Sequence, residues 1–273
     1  MIDSHQHFWK YNPSRDTWID NSMQVLQRDF LPEDLEPLVK SNGVKGCVAV
    51  QADQSEEETM FLLDLATQNK FINGVVGWVD LRASNISERL AFFKTNSLFK
   101  GVRHIVQVEA PGFLMQNDFL SGMEQLQTFG CTYDLLIYEH QLEEALAFVK
   151  KFPNQLFVID HMAKPKISKG VSTHWKKYME ALASHENVYC KLSGMVTETD
   201  FFKWNKEMFY PFLDVVVSEF GTQRIMFGSD WPVCLLSCNY NEMLMPINSY
   251  FQEFSLTEKK QIMHTNAVNF YSL

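Results

Sequence analysis

Basic side chains are in deficit in this chain: 24 Lys and Arg against 33 Asp and Glu give a formal net charge of −9. A surface of that sign does not attract a phosphate backbone or an anionic bilayer, so neither nucleic acid nor membrane is an expected partner. Cysteine is scarce and odd in number, five in 273 residues. Cys47, Cys131 and Cys190 lie inside apolar runs as small hydrophobes do, which argues against a disulfide framework. Cys234 and Cys238 have the spacing of half a zinc finger, but no second Cys or His pair follows. No apolar run reaches the roughly 18 residues of a membrane span. Asp3 and His5 interrupt any early apolar segment, so a secretory signal is not expected and the cytoplasm is the expected location. Also missing are a G-x-G-x-x-G turn, a Walker-type loop, a Pro/Gly/Ser-rich linker and an internal repeat. One domain over residues 1–273 is the resulting expectation.

What is present is a rhythm. Hydrophobic residues make up 46% and charged residues 21% of the chain, proportions that suit a globular protein with a large core. Eight short runs rich in β-branched residues recur: MIDSHQH, VKGCVAVQA, GVVGWVDL, GVRHIVQV, CTYDLLIY, LFVIDHMA, NVYCKLSG and RIMFGSDWP. Between them apolar residues recur at helical spacing. Ser55 followed by Glu58 predicts a capping box ahead of a helix with Met60, Leu63 and Ala66 or Thr67 on one face. A second helix is predicted from Leu142, Ala145, Leu146 and Val149, ending before Pro153. Strand and helix alternating eight times in a chain of this length predict an α/β fold, a (β/α)8 TIM barrel, which typically takes about 250 residues.

In such a barrel functional side chains come from the C-terminal ends of the strands. There the sequence places His5 and His7, Arg103 and His104, Asp160 and His161, Lys191, and Asp230. Strand side chains alternate, so His5 and His7 face the same side and can enter one site. Imidazoles joined by a further histidine or carboxylate suit zinc or a related divalent ion. Each residue also has a plainer reading. An H-x-H pair arises by chance, His161 could be a hydrogen-bonded core histidine, and Asp230 could cap its own turn. Their shared position at strand ends favours function. His140, His174, His185 and His264 fall in helix or loop segments and are expected to be structural, while Trp9, Trp18, Trp78 and Trp231 could line a pocket or fill the core.

Four ordered segments, IDSHQHFW, VIDHMAKP, CKLSG and MFGSDWPV, together with GVRHIVQ and the closing NAVNFY, resemble the amidohydrolase superfamily, in its sugar-acid lactonase branch of TIM-barrel metal-dependent hydrolases. The resemblance spans nearly the whole chain. It implies that His5, His7 and His161 hold a divalent metal together with Asp230, that Asp230 is the general base, and that His161 assists it. Arg103, His104 and Lys191 match positions that face the substrate. The fifth strand departs from the superfamily pattern: Leu136 and Tyr138 stand where many members have a histidine. That speaks against a binuclear centre and leaves two alternatives, one metal ion, zinc foremost, or direct action of the imidazoles on the carbonyl. The implied activity is opening of an aldonolactone, such as L-fucono-, L-rhamnono- or L-galactonolactone, to the free acid, with a homo-oligomer left open. The rivals are a metal-dependent decarboxylase or hydratase on the same barrel, and a non-catalytic sugar-acid binding protein.

Overall fold

Each of the eight apolar runs forms a strand in the computed structural model, which describes the backbone of residues 1–273 and every side chain except that of Phe201. The strands are β1 (Ile2–Gln6), β2 (Gly46–Val50), β3 (Ile72–Gly77), β4 (Phe99–Ile105), β5 (Thr132–Leu136), β6 (Phe157–Ile159), β7 (Val188–Leu192) and β8 (Ile225–Phe227). They pair in sequence order, every neighbour parallel. The crossover helices are α1 (Pro32–Ser41), α2 (Glu56–Gln68), α3 (Ile86–Lys94), α4 (Asn117–Thr128), α5 (Leu142–Val149), α6 (Thr173–Ala183) and α7 (Tyr210–Phe220). After β8 come α8 (Tyr240–Tyr250), α9 (Leu256–Lys260), a π-helical turn and α10 (Asn266–Tyr271). The architecture is a (β/α)8 barrel.

The ring closes differently at β8 and β1. In place of a full ladder there is a single bridge between Gln6 and Trp231. It is flanked by the His7 N–H donating to the Trp231 carbonyl at 2.7 Å and the Asp230 N–H donating to the His5 carbonyl at 2.8 Å. Gly228 allows this approach, since a Cβ there would lie 2.6 Å from the Cβ of His5. Barrel closure and the meeting of His5, His7 and Asp230 are one set of contacts.

The lumen is layered. At its floor Ile2, Val48, Val76, Val158 and Met226 pack against Ala267, Phe270 and Tyr271 of α10, which plugs the bottom. Above them lie Arg103 on β4, Asp134 on β5, Asp160 just past β6 and Lys191 on β7, all buried. The larger apolar core lies between strands and helices and takes Trp9 and Trp231, 3% and 1% exposed, so these two tryptophans are core residues.

Two local expectations shift. Ser55 caps α2 by accepting from the Glu58 N–H at 3.2 Å, but the Glu58 carboxylate does not return the bond. It accepts instead from the N–H groups of Ala52 and Asp53. The buried face of α2 is Thr59, Leu62, Leu63 and Ala66, while Met60 is 42% exposed. In α5 it is Phe148 rather than Leu146 that joins the buried face. In both, side chains reach a crowded strand surface, so the stripe is set by which rotamers meet it and not by spacing alone.

Candidate active site

Strict alternation along β1 would place Asp3 on the same side as His5 and His7. The pairing register slips between Asp3 and Gln6, and this irregularity re-aims the side chains. Asp3 points toward α8, accepting from the Tyr240 O–H at 2.9 Å and the Ser229 N–H at 2.8 Å. His5 and His7 turn into the lumen, with their Nε2 atoms 3.2 Å apart.

The partners of each ring decide which nitrogen is bare. His7 Nδ1 lies 2.7 Å from the Val50 carbonyl, a pure acceptor, so Nδ1 carries the proton and Nε2 the lone pair. His5 is the exception: pure donors stand at both its nitrogens, the Lys191 ammonium 3.0 Å from Nδ1 and the Arg103 guanidinium 3.3 Å from Nε2, with the Asp160 carboxylate 3.3 Å from Nδ1, so its surroundings select neither tautomer. His161 Nδ1 is held by Ser193 Oγ at 2.9 Å, leaving its Nε2 free. Asp230 Oδ1 stands 3.3 Å from His7 Nε2 and 3.9 Å from the Nε2 atoms of both His5 and His161.

These converging lone pairs repel one another unless a cation sits among them. Donors at about 2.0–2.2 Å from one zinc ion lie about 3–4 Å from each other, the spacing found here. His5, His161 and Asp230 in particular have donor atoms all within 4.8 Å of one another. The set fits a divalent metal of zinc's borderline character. A second grouping, His5 with Asp134 and Asp160, does not. The Lys191 ammonium already lies among those groups, 3.0 Å from both His5 Nδ1 and Asp160 Oδ1 and bonded to Asp134.

Backbone strain concentrates at the same place. His161, Met162, Ala163 and Lys164 have φ of 54°, 52°, 59° and 48°, and Asp230 has 56°. Left-handed backbone costs an L-residue about 1–2 kcal/mol, and four such residues in a row persist only when their surroundings enforce them. Trp175 Nε1 donates to the Met162 carbonyl at 2.8 Å, and the Lys164 N–H donates to the His161 carbonyl at 2.8 Å. Gly194 gives the imidazole room, since a Cβ there would lie 2.6 Å from His161 Nδ1. The Ser-Gly that ends CKLSG is thus a seat for His161.

Burial sets the charge states. It pushes His5 well below the ordinary histidine range and His161 down to about 4, so both are neutral at physiological pH. Burial alone would raise the Asp230 carboxyl, but the histidines around it, His161 foremost, together outweigh burial and hold the group below the ordinary carboxylate range. Asp160 is likewise held low, because Lys191, His5 and Arg103 together outweigh its desolvation. For Asp134 desolvation prevails and its carboxyl is raised.

Of the three residues expected to face substrate, Arg103 lies under the imidazoles. It contacts His5 Nε2 at 3.3 Å and Asp160 at 3.1 Å, with its other arm on the Gln51 carbonyl. Lys191 is fully buried between Asp134 and Asp160, beside His5. His104 follows Arg103 on β4 and therefore points out of the lumen. It stacks on Phe113 with ring centroids 4.7 Å apart and bonds Glu109 at 2.8 Å. Three residues of the assembly were not anticipated: Asp134, Ser193 and Lys164. An aspartate at the centre of the apolar run CTYDLLIY was the available signal for the first.

Comparison with known proteins agrees with this geometry. A model of the amidohydrolase family matches residues 2–273. An L-fucono-1,5-lactonase of Burkholderia multivorans is 38% identical over 100% of this chain and 96% of its own length. A second L-fucono-1,5-lactonase, from Burkholderia ambifaria, is 35% identical over 88% of this chain and 83% of its own. Among solved structures, an amidohydrolase from Burkholderia multivorans with bound zinc superimposes with a TM-score of 0.96 at 38% identity, covering 100% of this chain and 99% of that one. With a family match from end to end and relatives this similar over most of its length, the chain belongs to the amidohydrolase family.

Proposed function

We propose that this protein hydrolyses the ring ester of a sugar-acid lactone, with L-fucono-1,5-lactone as the first candidate substrate. The observation that carries the reading is the cluster of His5, His7, His161 and Asp230 at the barrel's closing seam, in a chain so similar over its full length to an L-fucono-1,5-lactonase. His5, His7, His161 and Asp230 would hold one zinc ion, and the zinc bound to the similar amidohydrolase supports that assignment. When bound, such an ion supplies Lewis acidity, lowering the pKa of water from 15.7 to about 7.

The protein's own groups account for the proton. Asp230 is ionised and takes a proton from the attacking water as the water oxygen bonds to the acyl carbon. As the bond from acyl carbon to ring oxygen breaks, Asp230 returns that proton to the ring oxygen, giving the open hydroxy acid. Neutral His161, fixed by Ser193, stays in place through both steps. Arg103 sets the position of His5 from below. Lys191 belongs to that support and not to substrate binding.

A continuous pH-indicator assay over L- and D-aldono-1,4- and 1,5-lactones tests the activity, because each ring opening releases one proton at neutral pH. Turnover of an L-configured 1,5-lactone is expected, and no proton release from any lactone in the panel would reject the reading. For the metal, elemental analysis is expected to give about one equivalent of zinc per chain, and chelation to lower kcat/KM at least about a hundredfold with recovery on adding zinc. Full activity with less than about a tenth of an equivalent bound would reject metal dependence.

A further inference from the structure

The strained turn that carries His161 also carries a cation with no part in the steps above. Lys164 ends that turn, and its ammonium lies 3.3 Å from the carboxylate of Glu198, on the loop after β7. The Lys164 and Glu198 side chains are 20% and 21% exposed, whereas the Lys191 pairs below are fully buried. Burial works against the Lys164 charge, but the neighbouring Glu198, Asp230 and Tyr138 outweigh it and keep the ammonium charged. Tyr138, two residues beyond β5, is 39% exposed. The segments after β5, β6 and β7 therefore supply, in order, an aromatic ring, a cation and a carboxylate at the end of the barrel that carries His161 and Asp230. A partly exposed ion pair contributes little to stability, about 0–1 kcal/mol. That is no recompense for presenting it on left-handed backbone.

We propose that Lys164 and Glu198 read adjacent ring hydroxyls of the substrate, Lys164 donating to one hydroxyl oxygen and Glu198 accepting from the other. They are specificity-determining residues, distinct from the groups that move the proton. A donor and an acceptor 3.3 Å apart match two neighbouring hydroxyls, each of which can both give and receive a hydrogen bond. One face of Tyr138 stacks on His140 at 5.9 Å between centroids, and the other would meet the C–H side of the sugar. The assignment rests on the lactonase reading and deepens it.

The test compares Lys164→Met and Glu198→Gln with the unaltered enzyme on two six-membered esters. One is L-fucono-1,5-lactone; the other is δ-valerolactone, which has no ring hydroxyls and is followed at raised enzyme concentration. Each variant is expected to lose roughly tenfold to a hundredfold in kcat/KM on the sugar lactone, as befits a lost hydrogen bond to a charged group. On δ-valerolactone the change is expected to stay within about threefold. Equal losses on both esters would place the pair at the shared ester group and overturn the proposal, as would unchanged activity on the sugar lactone. Glu198→Gln keeps the side-chain shape, so a folding defect in Lys164→Met leaves the proposal testable. If the unaltered enzyme opens no sugar lactone, both readings fall; if it does and the variants keep its selectivity, only this one does.

Discussion

Asp230→Asn is expected to lower kcat/KM on the substrate lactone at least about a thousandfold while leaving the fold unchanged. General acid–base help is worth about a hundredfold to ten-thousandfold, and the amide can neither take the proton from water nor serve as an anionic metal ligand. The substitution is unusually clean for a structural reason. Asp230 sits at φ 56°, a region that asparagine tolerates better than other residues, and its seam contact with the His5 carbonyl is made by its backbone N–H, which survives. A melting temperature within a few degrees of the unaltered protein's would confirm the intact fold. Unchanged turnover in Asp230→Asn would reject this residue as the base. Loss of zinc without loss of activity would separate its two assigned roles.

The barrel was legible because its strands write themselves as apolar runs at regular intervals, a signal that survives local irregularity. The four residues that meet at the seam, His5, His7, His161 and Asp230, were also legible, since each stands at the end of a run where a polar residue has no packing reason to be. What alternation could not deliver is the slip in β1 that sends Asp3 outward and keeps both histidines inside; a register irregularity leaves no mark in one strand's sequence. Nor could it foresee the left-handed turn from His161 to Lys164, because none of its residues is glycine and the bonds from Trp175 and the space over Gly194 that hold it come from distant segments. The partners of Lys191 were hidden for a related reason. A lysine in a strand looks like a group awaiting a ligand, and only the fold reveals that Asp134 and Asp160 on two neighbouring strands already claim it.

That claim leads to the largest expected effect on stability. Lys191→Met removes the cation from a fully buried set in which Asp134 and Asp160 stand side by side on neighbouring strands, with Arg103 reaching only Asp160. Breaking a buried pair by deleting one partner typically costs about 3–5 kcal/mol, because the orphaned charge stays buried. For a chain of this size that is a fall in melting temperature of roughly 10 °C. Asp134 bears most of it, retaining only the Tyr271 O–H at 2.8 Å. The pH dependence follows from the direction of its shift. Desolvation already raises the Asp134 carboxyl above its unfolded value, and without Lys191 it rises further. The folded state then holds a proton that the unfolded chain gives up, so stability is greatest below the unfolded pKa and is lost as pH rises through the folded one. Thermal melts should therefore show a smaller deficit for Lys191→Met at pH 5 than at pH 8. Adding Asp134→Asn to Lys191→Met should recover part of the loss at pH 8 and little at pH 5. A deficit independent of pH, or no recovery in the double variant, would mean that Lys191 matters for its packing and not for its charge.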